Sequence, residues 1–170
     1  AVGGTALADQ NDPRLDGLFE RLLKAESGQQ AAGIEQQIWS IWMHRGDPRI
    51  DRHMSLGVRA MEAGALLLSL REFSKVTVLD PEFAEGWNKR ATVHYLSGNY
   101  EASASDIAQT LKLEPWHFGA LSGLGLVKLA QQDYFAARSA FNAALEVNPT
   151  MRFARMNLQV IEQFLQRNAL

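Results

Sequence analysis

The chain has 170 residues, a formal net charge of −2 and an isoelectric point near 6.1. Hydrophobic residues make up 46% and charged residues 21%, enough for one buried core. No surplus of Lys and Arg points to nucleic acid or an anionic membrane, and no apolar run approaches the ~18 residues of a membrane span. Cysteine is absent, which excludes disulfides, thiolate zinc sites and a Cys nucleophile.

Residues 1–11 read as a flexible N-terminal arm or the tail of a signal peptide. Ala6-Leu7-Ala8 has the small-x-small form of a signal-peptidase site, which leans the reading toward export to a bacterial periplasm or an equivalent organelle lumen. Asp12-Pro13 then opens a helix with an apolar stripe at Leu15, Leu18, Phe19, Leu22 and Leu23. Ser27-x-x-Gln30 supplies a capping box for a second helix, which carries Ile34, Ile38, Trp39, Ile41 and Trp42 and stops at Gly46-Asp47-Pro48. Residues 12–47 are thus expected to form a helical hairpin.

Three further pairs follow over 48–149, as units of about 50–83, 84–117 and 118–151. The first has Leu56, Val58, Ala60 and Met61 on its first helix, a turn at Ala63-Gly64-Ala65, and Leu66, Leu67, Leu70, Phe73, Val76 and Leu79 on its second. The next two superpose directly: Gly98-Asn99-Tyr100 falls on Gln132-Asp133-Tyr134, and Leu113-Glu114-Pro115 on Val147-Asn148-Pro149. All five prolines (Pro13, Pro48, Pro81, Pro115 and Pro149) lie at these boundaries, spaced 35, 33, 34 and 34. Proline fits a helix's first turn but not its interior, so each one ends a pair and starts the next. Residues 150–170 form a last helix, with Met156, Leu158, Ile161, Phe164 and Leu165 expected to face inward and cap the stack. Nothing alternates with period two, so the fold class is all-α: a right-handed solenoid of antiparallel helical hairpins with a C-terminal capping helix.

Leu121-x-x-Leu124-Gly125, Ala137-x-x-x-Phe141, Ala144 and Pro149, in a 34-residue helix-turn-helix, resemble the tetratricopeptide repeat (TPR). His53-x-x-Leu56-Gly57, Ser69-x-x-x-Phe73, Val76 and Pro81 form a looser copy, and Trp87, Ala91, Ser103, Ile107, Thr110 and Pro115 a middle one. Residues 13–47 look like a divergent fourth hairpin in the same period. The segment Gly86–Thr92 with His117–Leu121 is also similar to small stand-alone members of this superfamily in bacteria and organelles. Small residues at Gly57, Ala91 and Gly125, and at Ser69, Ser103 and Ala137, are expected where paired helices approach. Phe73, Ile107 and Phe141 would fill the space between hairpins.

The resemblance implies a protein or peptide partner bound in a concave groove lined by the first helix of each pair. It places Met54, Val58, Met61, Asn88, Thr92, Tyr95, Ser122, Leu126 and Leu129 there. The carboxylate clamp of some members, which grips a peptide C-terminus with Lys, Asn and Arg, is missing: Met54, Val58 and Gly123 occupy three of its positions. An apolar groove suits an amphipathic helix or an extended apolar segment. Self-occlusion by the chain's own N-terminal helix is the alternative, as is a homodimer through the groove or through the N-terminal hairpin with Trp39 and Trp42.

Arg90 stands where the family has Leu, so it needs a partner, for which Asp106 fits better than Glu85; the pair is either structural or a polar anchor for a ligand. Trp116 and His117 lie on a turn, where they either seal the junction or anchor an interface. The four histidines lack metal-ligand spacing, so no metal or cofactor is expected. Arg45-Gly46-Asp47 spells an adhesion tripeptide but falls where a helix must end. No nucleophile, base and acid share a motif, and the expected role is a non-catalytic scaffold or adaptor.

Overall fold

The computed structural model describes residues 9–167, and among these every regular element is a helix. The export reading rests on residues 1–8, which lie outside the described residues. The helices are α1 (Arg14–Leu23), α2 (Gly28–Trp42), α3 (Pro48–Glu62), α4 (Leu66–Leu79), α5 (Ala84–Leu96), α6 (Tyr100–Leu113), α7 (Phe118–Ala130), α8 (Tyr134–Val147) and α9 (Arg152–Arg167). Helices α3 to α8 form three antiparallel pairs stacked in sequence, and α9 packs on α8.

Local chemistry sets the boundaries. Ser27 accepts from the Gln30 N–H at 3.2 Å, while the Gln30 side chain accepts from Glu26 rather than Ser27, a capping box displaced by one residue. Asp47 caps α3 through the Arg49 N–H with Pro48 in the first turn. The turn inside each pair places one residue at positive φ: Gly64 at 73°, Gly98 at 75° and Gln132 at 61°. Glycine takes that region without steric cost; Gln132 holds it because the same two backbone bonds close the turn, Gln132 N–H to Leu129 O at 2.9 Å and Asp133 N–H to Lys128 O at 2.9 Å.

Close approach within a pair rests on small residues. Ser69 Oγ donates to Gly57 O, and Ser103 Oγ to Ala91 O, both at 2.8 Å. A Cβ on Gly57 would lie 2.6 Å from the Phe73 ring, and one on Gly125 2.7 Å from Phe141. Phe73, Ile107 and Phe141 are all buried, as their repeat positions require.

Two expectations change. First, α1 and α2 do not stack on α3 as another unit of the period. They lie across the two loops that join consecutive pairs and the one that leads from the last pair to α9, with Phe118 buried in their core and Val147 and Met151 packed against it. Arg45 pairs with Asp80 at 2.5 Å and with Asp9, Gln10 bonds Glu82 and Ala84, Phe19 meets Trp116 edge-on at 5.3 Å, and Asn148 donates to Glu35 at 2.7 Å. Proline phase alone could not distinguish the two placements, because both keep the same chain spacing. With its guanidinium so engaged, Arg45 is also no adhesion residue.

Second, the inward face of α9 is Ala154, Leu158, Ile161 and Leu165, spaced four, three and four as one helix stripe requires. Met156 lies on the other side of the helix and is 55% exposed, beside Phe153 and Val160, while Phe164 sits at the edge with its ring 4.2 Å from Tyr134.

Candidate functional site

The first helices of the pairs, α3, α5 and α7, touch in series, and the expected groove residues lie on them. The structure separates those residues into two groups. Asn88, Thr92, Tyr95 and Leu126 line one depression of about 70 Å³ between α5 and α7, floored by Ala91, Ser103 and Ile107. Thr92 Oγ1 donates to Asn88 O at 3.0 Å, and the Tyr95 ring leans on Tyr100 with centroids 5.7 Å apart, so both are held in place. That volume suits a side chain of a partner and is small against the roughly 300–1,000 Å³ of small-molecule sites.

In the second group Met54 and Ser122 are buried, while Val58, Met61 and Leu129 are half-buried and lean on the core clusters. Met54 is 1% exposed, buried among Ile50, Phe73, Val76 and Phe83, and therefore is not a groove residue. Val58 and Met61 rest on the same cluster, Leu129 on the one beneath α9, and Ser122 is buried. A larger cleft of about 840 Å³ opens between α1 and α2 around Arg14, Arg21, Gln37 and His44, and no expected groove residue lines it.

Helix α2 closes one end of the α5–α7 depression. The Trp39 ring sits where a Cβ on Gly119 would be, 2.6 Å away, and the Lys89 ammonium lies 5.2 Å above it. Trp42, buried beside it, stacks on His117 with centroids 4.0 Å apart and planes 11° from parallel. Beneath the indoles lies a buried polar cluster that sequence reasoning did not assemble. The Glu85 carboxylate accepts from His117 Nε2 and from Asn88 Nδ2, both at 2.9 Å, and pairs with Lys89 Nζ at 3.1 Å. His117 Nδ1 accepts from the Ala120 N–H at 3.1 Å, which caps α7 and fixes the ring's proton on Nε2. Burial alone would push the Glu85 carboxyl up, but Lys89, His117 and Asn88 outweigh it and hold the group below its usual range. Neighbouring Glu114 has weaker help from the Trp116 N–H and His117, so burial pushes it up. His117 is therefore an internal support, while Trp116 stays half exposed on the junction.

Arg90 takes Asp106 as expected, through two bonds of 2.7 Å from Nε and Nη2. Nη1 reaches Thr77 Oγ1 on the preceding pair at 2.9 Å, and the guanidinium lies 4.8 Å from the Trp87 ring centroid. Each bond goes to α4, α5 or α6, so the geometry is that of a tie between repeats. Changing Arg90 to Leu should lower stability by about 2 kcal/mol, less than a fully buried pair would lose, because it strands Asp106 with only His94 at 3.8 Å. Chemical denaturation checks this; an unchanged or raised unfolding free energy would show that the tie adds nothing.

The histidines serve similar internal bonds. His53 meets Glu72 at 2.7 Å, and Lys75 and Arg71 approach the same carboxylate at 3.0 and 3.1 Å. Burial would raise Glu72, yet these three groups bring it down to about 2. Among the described residues no group of three or more His, Cys, Asp or Glu could hold a metal ion, and no helix is long and apolar enough to cross a membrane.

A TPR repeat-containing protein of Rhizobium etli is 32% identical to this chain over 155 residues, spanning 91% of the chain and 76% of that protein. The chain belongs to the tetratricopeptide-repeat family. Human DnaJ homolog subfamily C member 3 is 27% identical over 101 residues, and there the match spans only 20% of the relative's length. Among solved structures, the first TPR of Spaghetti (RPAP3) bound to an HSP90 peptide superposes with a TM-score of 0.68 at 20% identity, covering 69% of this chain and 94% of that one. MamA superposes with a TM-score of 0.66 at 17% identity, covering 92% and 84%. No family model matches the chain. As a TPR protein it presents its repeats as stacked pairs of antiparallel helices.

Proposed function

We propose that this TPR protein is a non-catalytic adaptor or assembly factor that holds a peptide or helix of a partner protein on α5 and α7. The carrying observation is the convergence of Asn88, Thr92, Tyr95 and Leu126 on one small depression. The Thr92 hydroxyl oxygen, the Tyr95 phenol and the Leu126 side chain suit a partner's apolar side chain entering with backbone contacts beside it, above an Asn88 amide tied to Glu85 beneath. The peptide-bound state of a structural neighbour supports a peptide as the ligand class. The missing carboxylate clamp argues against capture through a C-terminal carboxylate, and Trp39 at one end narrows the groove so that the ligand enters from the Tyr95 side.

Self-association through Trp39 and Trp42 finds no support in this geometry. Trp42 is buried against His117, and Trp39 rests on Gly119 and Phe118 of the same chain.

The test is capture of partners from the native host with wild-type protein and two groove variants, Tyr95→Ala and Thr92→Arg, followed by titration of the captured partner's peptide. Both variants should remain folded and bind about tenfold or more weakly, as the loss of a central aromatic anchor usually does. Equal affinity in both would sink the groove as the binding site. Met54→Glu is unsuitable, since it would place a charge in the core.

A further inference from the structure

We propose that the flank of α3 and α4, which none of the described helices covers, is a second docking surface, built to receive an acidic amphipathic helix of a partner protein as the continuation of the repeat stack. This goes beyond the groove and uses none of its residues.

Inside the stack each flank is met by a helix. Helix α4 lies on α5, with Val76 where a Cβ on Gly86 would fall, and α6 lies on α7 in the same way. The positions that meet the preceding helix are therefore fixed by the 34-residue repeat. One holds Gly86 and Ala120, both buried against the preceding helix; three residues earlier stand Phe83, buried in one cluster with Val76, and His117, buried under Trp42 of α2. In the first repeat the same two positions are Arg49 and Arg52, both exposed. Helices α1 and α2, which chain order would put on this flank, lie on the repeat junctions instead.

The uncovered surface is cationic and apolar at once. Two adjoining depressions of about 460 and 510 Å³ share His53, Arg71 and Lys75. Arg49, Arg52 and Leu56 complete the first, and Val78 and Leu79 the second. Val78 is 77% exposed, and Leu67, 87% exposed, lies on the same side of α4 as Arg71. The one carboxylate in the lining, Glu72, is buried and already held by His53, Arg71 and Lys75, and Asp47, the cap of α3, pairs with Arg49, so that among the described residues Arg49, Arg52, Arg71 and Lys75 face only these two carboxylates. A merely solvated end of an array needs a polar face; it gains nothing from exposed Val78, Leu79 and Leu67 beside the arginines.

Shape and charge select the occupant. The flank's counterparts on α5 and α7 are each filled by a helix, and the cations here call for carboxylates beside the helix's apolar stripe. A second copy stacking through its own end helix is disfavoured. Helix α9 presents Phe153, Met156 and Val160 together with Arg152 and Arg155, which would set cation against cation.

The experiment titrates the full chain with a synthetic helical peptide of about four turns, with leucines on one face flanked by glutamates. A second peptide has lysine for each glutamate, and phosphatidylserine vesicles are tested in parallel. The protein variants are Arg52→Glu with Val78→Ser, Arg49→Glu alone, and Tyr95→Ala as a groove control. The mutated flank residues are exposed, and Arg52 and Val78 lie outside the Glu72 cluster, so circular dichroism should match wild type. The glutamate peptide should bind wild type and Tyr95→Ala alike, weaken as salt rises, and bind the double variant at least about tenfold more weakly, with Arg49→Glu in between. No binding, equal binding of the lysine peptide, or equal binding to the double variant overturns the proposal. Vesicle binding that depends on Arg52 and Val78, without peptide binding, also overturns it in favour of a membrane surface. Because Tyr95→Ala is carried throughout, failure here leaves the groove reading standing, and failure of the groove leaves this one.

Discussion

Replacing Phe141 with alanine should lower the free energy of unfolding by about 3–5 kcal/mol, as removal of a fully buried aromatic ring typically does. The ring is 0% exposed and sits where α7 and α8 approach most closely, with Gly125 and Ala137 leaving it room. It also meets the Phe153 ring edge-on at 6.3 Å, so the cavity would reach the contact between the last pair and α9. The reverse fault should also cost stability. A methyl added in Gly125→Ala would lie 2.7 Å from the ring, and neither a packed ring nor a helix backbone yields easily. Combining Gly125→Ala with Phe141→Leu should therefore lose less than the two single losses added together, because the smaller side chain vacates the space the methyl needs. Urea unfolding of Phe141→Ala, Gly125→Ala, Phe141→Leu and the double variant, with an unchanged m-value, measures this. A loss under about 1 kcal/mol for Phe141→Ala would mean that the site collapses freely, contrary to close packing.

Such wedges were legible because they are local and periodic. The five prolines recur every 33 to 35 residues, and the positive-φ turn at Gly64, Gly98 and Gln132 and the small residues facing Phe73 and Phe141 keep a 34-residue phase, so one good copy phases the others. Met54 was readable by the same means. Ile50, Met54, Gly57 and Ala60 form one buried stripe on α3, and only the family's groove pattern drew it to the other face. The placement of α1 and α2 left no such trace. Their contacts link Glu35 to Asn148 and Trp42 to His117 across long stretches of chain, and neither Trp39 nor Trp42 carries a periodic partner. An amphipathic hairpin states that it must bury a face, not which surface will cover it. Asp106 could be named for Arg90 because both lie in one repeat pair. The Glu85 cluster could not, because its roof comes from α2.

That cluster carries the other large prediction. Glu85→Leu should destabilise the protein by about 3–5 kcal/mol, the usual loss when one member of a buried charged pair is removed. Lys89 is partly exposed and can turn its ammonium to water, but His117 cannot. Its Nε2–H would face the new leucine with no acceptor, because Nδ1 is committed to the Ala120 N–H and the ring is fixed under Trp42. Glu85→Gln should lose less, since the amide oxygen still accepts from His117. The decisive variant is Glu85→Leu with His117→Phe. It removes the carboxylate and the imidazole together, leaving the Asn88 amide short of its acceptor at the groove, and a phenyl ring can keep the stack on Trp42. It sacrifices the cap of α7, worth about 1 kcal/mol. The pair should therefore cost less than Glu85→Leu alone, although it contains one more substitution. Additive losses would show that Glu85 and His117 contribute independently, and that the hairpin is held on the repeats by its apolar face without help from the charges beneath it.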